Sequence, residues 1–332
     1  MAMPHDTEES RPPKLKTNGR AWKTAATSAP PPSGATPNED GERWSVGKLL
    51  SWTTDYLKRR GSESARLDAE VLLAQALGWA RVQLYTHFED EVGEEVRSSY
   101  RVMVRRRAEG EPVAYLVGRK EFYSLPLKVS PAVLIPRPDS EFVVVEFLSV
   151  TKGENAPRCV DVGTGSGCLA LACVHEHPSA TFFAIDLSPS ALAIAAENAK
   201  SLNLSTRVTF REGNLFDTVA KEGPFDVIVS NPPYIATDVI PQLERGVRDF
   251  EPHSALDGGP DGLCVVSALI KQAVPLLKPG GRLILEIGSD QELAVRGLLE
   301  AEPGLTVFPT VRDHANHPRV LRATRALAHG GR

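Results

Sequence analysis

The spacing of apolar residues predicts a helical region in the first third of the chain. Across residues 44–108, apolar positions recur at steps of three and four, the period of one face of an α-helix. One predicted helix includes Leu67 and Ala76 and is expected to stop at Gly78, and a later helix covers residues 94–107. We therefore predict a small domain of four or five short helices, which we interpret as a docking domain for a partner.

From about residue 158 the pattern changes, and short apolar runs alternate with helical stretches. Such alternation is typical of a parallel sheet with helices on both faces, so the predicted fold class is α/β. The predicted strands are 159–162, 182–185, 208–211, 227–230 and 283–287, with helices such as 189–202 and 262–277 between them. Residues 278–281 are expected to form a tight turn, and residues 305–311 and 319–324 a closing antiparallel hairpin.

Between these regions, residues 113–137 are predicted to be extended and to form a β-hairpin linker. The linker ends in Ile135-Pro136-Arg137-Pro138, and Asp139 or Ser140 is expected to cap the helix that follows. Residues 1–42 are rich in proline and polar residues and show no periodicity, which predicts a disordered tail. The predicted division is a tail at 1–42, a helical docking domain at 43–112, a hairpin linker at 113–137 and an α/β domain at 138–328.

Composition narrows the class of protein. The 332 residues are 42% hydrophobic and 24% charged, with a formal net charge of −4, which is typical of a globular protein without a broad basic surface for duplex DNA. No apolar run approaches the ~20 residues of a membrane span, no signal sequence is evident, and the four cysteines form no C-x-x-C pair. We expect a cytoplasmic monomer with reduced thiols, no membrane association and no metal site.

The most informative motif is Asn231-Pro232-Pro233-Tyr234, which directly follows a predicted buried strand. Prolines lack an N–H donor and hold the backbone extended, so carbonyl groups at this strand end are left to accept other hydrogen bonds. A planar –NH2 group lying between Asn231 Oδ1 and the Pro232 carbonyl would have both hydrogens bonded, with Tyr234 available to pack against a flat substrate. The motif therefore predicts a site that holds an amide or an exocyclic amine as a nucleophile.

A glycine-rich turn, Gly163-Thr164-Gly165-Ser166-Gly167, follows the first strand of the predicted sheet. Ligands of open parallel sheets bind at the carboxyl ends of strands, and glycine lets the backbone approach them closely. Asp186 ends the next strand, where a carboxylate can accept both hydroxyls of a ribose. A dinucleotide site has the same outline, but its fingerprint is G-x-G-x-x-G. The shorter G-x-G-x-G spacing favours an adenosine cofactor without a pyrophosphate, such as S-adenosylmethionine.

The third predicted strand ends in residues that suit the same cofactor. Asn214 can hydrogen-bond adenine, and Leu215 or Phe216 can cover the face of the base, although a simple capped turn is an equal alternative. In a sheet ordered 3-2-1-4-5, the glycine-rich turn and the motif at Asn231 lie side by side. That arrangement would place a methyl donor beside the group that holds the amine.

On these motifs the sequence resembles the HemK/PrmC family, which methylates the glutamine side chain of class-1 peptide chain release factors. The similarity spans roughly residues 44–325. Besides the two motifs above, it rests on Ala114-Tyr115-Leu116-Val117-Gly118, Glu121-Phe122-Tyr123, Ile135-Pro136-Arg137-Pro138, Glu251-Pro252, Ala255-Leu256, Gly258-Gly259-Pro260-Asp261-Gly262-Leu263 and Glu286-Ile287-Gly288.

The resemblance implies a small all-α domain, a β-hairpin linker and a seven-stranded, Rossmann-like class I methyltransferase domain. It implies that S-adenosylmethionine is bound by residues 163–167, Asp186, Leu215 and Asn231. It also implies that the glutamine is held by Asn231, Pro232, Pro233 and Tyr234, among which Asn231, Pro232 and Tyr234 are the expected catalytic residues. The expected product is a methyl group on N5 of the glutamine in the Gly-Gly-Gln motif of the release factor.

Some questions stay open at this level. The family usually has Pro-Glu-Thr-Glu where this chain has Pro138-Asp139-Ser140-Glu141, and Asp is common at the position of Asn214. Arg137 and Glu251 are either structural or in contact with the substrate. The alternative functions are methylation of a glutamine in a large-subunit ribosomal protein and N6-adenine methylation of nucleic acid. The acidic charge balance, the lack of a basic target-recognition domain and the Ile-Pro-Arg-Pro segment count against a nucleic-acid substrate. The resemblance implies that the partner is a class-1 release factor.

Overall fold

The helical region forms because the apolar faces of its helices meet in one core. The computed structural model describes residues 43–327, so the predicted tail at 1–42 lies outside the described residues. The first helices are α1 (Val46–Arg59), α2 (Ala65–Leu77), α3 (Gln83–Thr86), α4 (Glu94–Ala108) and α5 (Val113–Val117). Leu50, Leu57 and Leu72 are fully buried between them. Gly78 ends α2 in the left-handed conformation, with φ of 68°, as predicted.

The prediction of extended structure is wrong for the segment 113–117, which forms helix α5. Valine and tyrosine favour strands locally, but tertiary contacts override that preference here. Tyr115 is buried and its hydroxyl donates to the Val133 carbonyl at 2.6 Å, while Gly118 ends the helix with φ of 71°. The hairpin is therefore short.

The hairpin consists of strands β1 (Arg119–Phe122) and β2 (Leu125–Lys128), which pair antiparallel. Tyr123 and Ser124 form its two-residue turn, with φ of 49° and 61°. Positive φ at both central residues suits the right-handed twist of the flanking strands. The division of the chain into separate domains stays a prediction.

The main sheet runs through the second part of the chain. Its strands are β3 (Arg158–Val162), β4 (Thr181–Asp186), β5 (Val208–Glu212), β6 (Phe225–Ser230), β7 (Leu277–Glu286), β8 (Leu305–Val307), β9 (Val311–Arg312) and β10 (Pro318–Arg325). Within the described residues the order is β5-β4-β3-β6-β7-β10-β8, and the two-residue β9 pairs beside β10. The first five strands of that order are parallel, and β10 is antiparallel to β7 and β8. This confirms the α/β fold class and the predicted 3-2-1-4-5 order.

Helices cover both faces of this sheet, and they are α6 (Glu141–Thr151), α7 (Cys168–Glu176), α8 (Pro189–Ser201), α10 (Cys264–Leu276) and α11 (Glu292–Glu300). The short helix α9 (Arg245–Phe250) lies between β6 and β7 in the chain and buries none of its residues. Neighbouring residues of one strand belong to opposite cores: Cys159 packs with Phe147 and Phe182 on one side, and Val160 packs with Leu269 on the other. Each such large apolar side chain contributes roughly 1.5–3 kcal/mol when fully buried. Among residues 43–327, no helix combines the length and the apolar character that crossing a membrane requires.

The predicted turn at 278–281 lies inside strand β7 instead of preceding it. The pairing of β6 with β7 jumps from Phe225 opposite Leu277 to Val227 opposite Arg282. The four residues 278–281 are therefore accommodated opposite Asp226 alone, and the Lys278 Nζ bonds both carboxylate oxygens of Asp226 at 2.7 and 2.8 Å. A proline and two glycines allow this bulge because they tolerate the local break in pairing.

Candidate active site

A cavity of about 430 Å³ opens at the carboxyl ends of β3, β4, β5 and β6. Parallel strands present their carboxyl ends at one edge of the sheet, which is where ligands of such folds bind. The sequence-predicted site residues that line this cavity are Gly163, Gly165, Asp186, Asn214, Leu215, Asn231, Pro232 and Pro233. The cavity lining does not include Thr164, Ser166, Gly167 or Tyr234. Its volume falls within the range of about 300–1,000 Å³ that small-molecule sites occupy.

The three glycines of the turn after β3 all have positive φ, at 72° for Gly163, 56° for Gly165 and 82° for Gly167. A Cβ at Gly163 or Gly165 would meet no atom within 4 Å, so both positions border the open space of the cavity. A Cβ at Gly167 would instead lie 3.0 Å from Leu171 and 3.2 Å from Ala195. The first two glycines thus leave room for a ligand, and the third lets helix α7 pack closely.

Asp186 connects the glycine-rich turn to the end of β4. Its Oδ2 accepts a bond from the Gly165 N–H at 2.8 Å, and its Oδ1 accepts one from the Ser188 N–H at 2.9 Å. An ionised carboxylate has about four acceptor sites, so capacity remains for further donors such as ribose hydroxyls. The residue that the sequence assigns to the ribose therefore lines the cavity and also fixes the shape of the turn.

Thr164 and Ser166 face the protein interior. The Thr164 hydroxyl donates to Asp161 Oδ2 at 2.6 Å, and the Ala170 N–H donates to the same oxygen at 3.2 Å. Asp161 is fully buried, and this burial raises the pKa of its carboxyl to about 7 despite the two hydrogen bonds. Thr164 and Asp161 therefore stabilise the turn from the protein interior. Ser166 is also buried, with 2% of its surface exposed.

Asn231 lines the cavity immediately after β6, and its amide is held from behind. Its Nδ2 donates to the Ser140 Oγ at 3.1 Å, and Ser140 is only 2% exposed. Ser140 occupies the N-cap position of helix α6, one of the two residues predicted for it, but its side chain makes no capping hydrogen bond and its hydroxyl accepts from Asn231 instead. This contact brings the Ile135-Pro136-Arg137-Pro138 segment and the Asn231 motif into one site.

Glu286 is a buried carboxyl beside Asn231 to which the sequence pattern assigned no role. Ser230 pairs with Leu285, so Asn231 and Glu286 are the next residues on neighbouring strands. Burial raises the pKa of Glu286 to about 7, although the Ser140 hydroxyl, the Arg319 cation and the Asn231 amide act in the opposite direction. A single carboxylate within the otherwise apolar predicted strand 283–287 was the signal available in the sequence.

Tyr234 does not line the cavity, and charged residues influence its phenol. Burial raises the pKa of its phenol to about 12, with a smaller contribution from the charge of Glu286. Arg319 lies nearby and forms ion pairs with Asp139 and Asp313, both at 2.9 Å. Tyr234 is thus the member of its motif that does not line the cavity.

Arg137 and Glu251 join two walls of the cavity. Glu251 is 4% exposed, accepts the Ile135 N–H at 3.1 Å and pairs with the Arg137 guanidinium at 2.5 Å. The first wall includes Val133, and the second follows Glu251 directly and includes Pro252. The sequence left open whether Arg137 and Glu251 are structural or contact the substrate, and the structure shows that each makes a structural contact.

The backbone of the Asn231 motif is fixed by a second glycine-containing turn. The Gly258 N–H donates to the Ile235 carbonyl at 2.8 Å, and the Ile235 N–H donates to the Leu256 carbonyl at 3.0 Å. A Cβ at Gly258 would lie 2.7 Å from the Gly262 carbonyl oxygen and 2.8 Å from that of Pro233. Only glycine allows this close approach of two backbone segments.

Comparison with known proteins identifies two family models along the chain. The PrmC N-terminal domain model matches residues 48–118, and the methyltransferase small domain model matches residues 141–242. The release factor glutamine methyltransferase of Rhodopirellula baltica is 43% identical over 287 residues, which cover 85% of this chain and 97% of that protein. The release factor glutamine methyltransferase of Geobacter sulfurreducens is 42% identical over 283 residues, covering 85% of this chain and 98% of that protein.

Among solved structures, the catalytic domain of hMettl16, in complex with the MAT2A 3'UTR hairpin 6, matches with a TM-score of 0.50. The match covers 70% of this chain and 84% of that chain at 15% identity. A likeness at this level of identity concerns the fold alone.

Proposed function

This chain belongs to the release factor glutamine methyltransferase family, and from that premise we propose that it methylates the side chain of a glutamine in a class-1 peptide chain release factor. The methyl donor is S-adenosylmethionine, and the acceptor is the amide nitrogen N5 of the Gly-Gly-Gln glutamine. The observation that carries the proposal is the position of Asn231. It lines the same cavity as the glycine-rich turn and Asp186, and its amide is held by a buried serine.

The cavity has the features that an adenosine cofactor needs. Gly163 and Gly165 leave open space beside the backbone, and Asp186 retains acceptor capacity for ribose hydroxyls. Asn214 supplies polar groups for adenine, and Leu215 supplies an apolar surface for the face of the base. When bound, S-adenosylmethionine supplies an electrophilic methyl group. These five residues support binding of an adenosine cofactor. The G-x-G-x-G spacing of the turn, one residue shorter than the dinucleotide fingerprint, favours S-adenosylmethionine over a dinucleotide.

Asn231 and Pro232 would hold the substrate amide. A glutamine nitrogen is a poor nucleophile because its lone pair is delocalised into the carbonyl. Because Asn231 Nδ2 bonds Ser140, the Oδ1 at the other end of the amide is directed away from that serine. Together with the Pro232 carbonyl it can accept both N–H groups of the substrate amide. Positioning of this kind can supply on the order of 7–11 kcal/mol at most, and the nitrogen loses its proton to water after transfer.

The test combines product mapping with an Asn231→Ala variant. Wild-type protein is incubated with labelled S-adenosylmethionine and a free or ribosome-bound class-1 release factor, and the label is located by peptide mass analysis. We expect the label on the Gly-Gly-Gln glutamine in wild type. Asn231→Ala should transfer no detectable label while still binding S-adenosylmethionine in calorimetry, because the variant loses the acceptor for the substrate and keeps the glycine-rich turn and Asp186.

Asn155→Ala is the matched control, since it makes the same change in an exposed loop before β3. It should leave the rate of label transfer unchanged. Label on a ribosomal protein or on nucleic acid would move the assignment to another substrate. A near-normal rate in Asn231→Ala would contradict the role of this side chain in holding the nucleophile.

A further inference from the structure

A fully enclosed carboxyl lies directly behind the amide that is assigned to the substrate. Glu286 is 1% exposed and ends strand β7, one residue beyond the Ser230–Leu285 pair that aligns β7 with β6. Ser140 and Asn231 both approach this carboxyl as hydrogen-bond donors. Its Oε2 is buried and has no hydrogen-bond partner among the described residues. A buried carboxyl oxygen without a hydrogen bond lowers the stability of the fold, which suggests that Glu286 has a role other than stabilisation.

The side-chain amide of asparagine has an acceptor, Oδ1, at one end and a donor, Nδ2, at the other. Asn231 can present either Oδ1 or Nδ2 to the cavity, and the two orientations differ by a rotation about one bond. Only Oδ1 can accept an N–H from the substrate. An ionised carboxylate accepts hydrogen bonds and cannot donate them, so it favours the orientation that directs Nδ2 inward. The hydroxyl of Ser140 accepts from Nδ2 at 3.1 Å and can donate its own hydrogen to the carboxylate.

We infer that Glu286, acting through Ser140 and directly on the amide, is a positioning residue that keeps Asn231 Oδ1 turned toward the substrate. The inference rests on the proposed function, since it concerns how that site holds its nucleophile. Glu286 does not itself touch the substrate. Its effect is exerted on the amide, so it should govern the rate of methyl transfer and leave the affinity for the methyl donor unchanged.

The protonation state of Glu286 decides which orientation is favoured. The charged or titratable groups that face it are Arg319 on β10, Asp139 before α6, Tyr234 after β6 and Cys168 at the start of α7. A protonated carboxyl has an O–H that can donate to Asn231 Oδ1 and so favour the reversed amide. Methyl transfer should therefore be fast where Glu286 is ionised and slow where it is protonated.

The test compares Glu286→Gln with wild type. Glutamine has the same shape but carries no charge, and its amide can present an –NH2 donor as well as an oxygen acceptor, so it no longer favours one orientation of Asn231. We therefore expect kcat to fall about 10- to 100-fold at pH 8, the effect of losing a hydrogen bond to a charged group. The Kd for S-adenosylmethionine should stay within twofold of wild type. Glu146→Gln is the matched control. It removes a carboxylate in α6 that is paired with Arg322 of β10, and it should leave kcat unchanged.

The pH profile adds a readout that a purely structural role would not give. In wild type, kcat should rise with pH through about 7, the value to which burial raises the pKa of Glu286. Glu286→Gln should show no such rise, and wild type at low pH should approach the rate of this variant. Equal kcat values in the two proteins at pH 8, or the same rise in both, would overturn the inference.

A second variant keeps the test decisive if Glu286→Gln does not fold. Ser140→Ala removes the hydroxyl between the two groups and should lower kcat about tenfold. An unchanged rate in this variant would equally overturn the inference. A wild-type protein that labels no glutamine would contradict the proposed function, whereas an active wild type whose rate is matched by its variants would contradict only the role of Glu286.

Discussion

Replacing Gly258 by alanine tests whether the Asn231 motif depends on the turn packed against it. Gly258 is buried, and its added Cβ would lie 2.8 Å from the Pro233 carbonyl oxygen and 2.7 Å from that of Gly262. Both neighbours are backbone atoms, so neither can rotate away as a flexible side chain would. Ordinary contacts of this kind lie near 3.4 Å or beyond, so the Pro233 carbonyl must retreat by about 0.6 Å.

Two effects of measurable size follow from that displacement. Overpacking of a well-packed site costs about 1–3 kcal/mol of unfolding free energy, which corresponds to a fall of several degrees in Tm. A misplacement approaching 1 Å costs up to about 100-fold in rate where catalysis depends on positioning, so kcat should fall about 10- to 100-fold. The Kd for S-adenosylmethionine should change little, because Gly163, Gly165 and Asp186 lie on other loops.

The assays are thermal unfolding, calorimetric titration with S-adenosylmethionine, and label transfer to a release factor. Gly93→Ala is the matched control: it adds the same methyl group before α4, where a Cβ would meet no atom within 4 Å. It should leave both kcat and Tm near wild type. If Gly258→Ala keeps the wild-type kcat, the close packing of these two backbone segments does not position the Asn231 motif, and the reasoning is refuted.

Two further predictions concern the cofactor and pH. Asp186→Ala should raise the Kd for S-adenosylmethionine at least about tenfold in calorimetry, because the ribose hydroxyls and the Gly165 N–H lose a charged acceptor; an unchanged Kd would contradict the assignment. Burial raises the pKa of Asp161 and of Glu286 to about 7, so the folded chain binds protons that the unfolded chain releases near pH 4. The free energy of unfolding should therefore fall by on the order of a few kcal/mol as pH rises from about 4 to 7. Denaturant titrations at pH 5 and 8 measure this difference, and Glu286→Gln should reduce it.

Features that depend on short stretches of chain were predictable from the sequence. The helical period, the alternation of strands and helices, and the stop at Gly78 each follow from local preferences. The order of the parallel strands followed because open sheets of this kind use few topologies. The glycine-rich turn and the Asn231 motif were placed in one cavity for the same reason, since both follow neighbouring strands.

Features that depend on distant partners were not predictable in the same way. Ser140 precedes a helix, so local preference assigns it a cap, but its hydroxyl instead bonds Asn231, which lies 91 positions away in sequence. Residues 113–117 have strand-forming side chains, yet the buried contact of Tyr115 favours a helix there. The sequence singled out Glu251 without identifying its partners and assigned Glu286 no role, because the role of a charged residue depends on the groups that surround it in the fold.

The wall of the cavity near Val133 and Ile135 restricts which helical regions of related enzymes can replace the one in this chain. One hydrogen bond, from the Tyr115 hydroxyl, ties the Val133 carbonyl to the helical part of the chain. Another, to Glu251, ties the Ile135 N–H to the opposite loop. A chimera that takes its first helices from another family member therefore has to bring a tyrosine at this position. Recombination points after Gly118 are safe only for donors that satisfy this requirement.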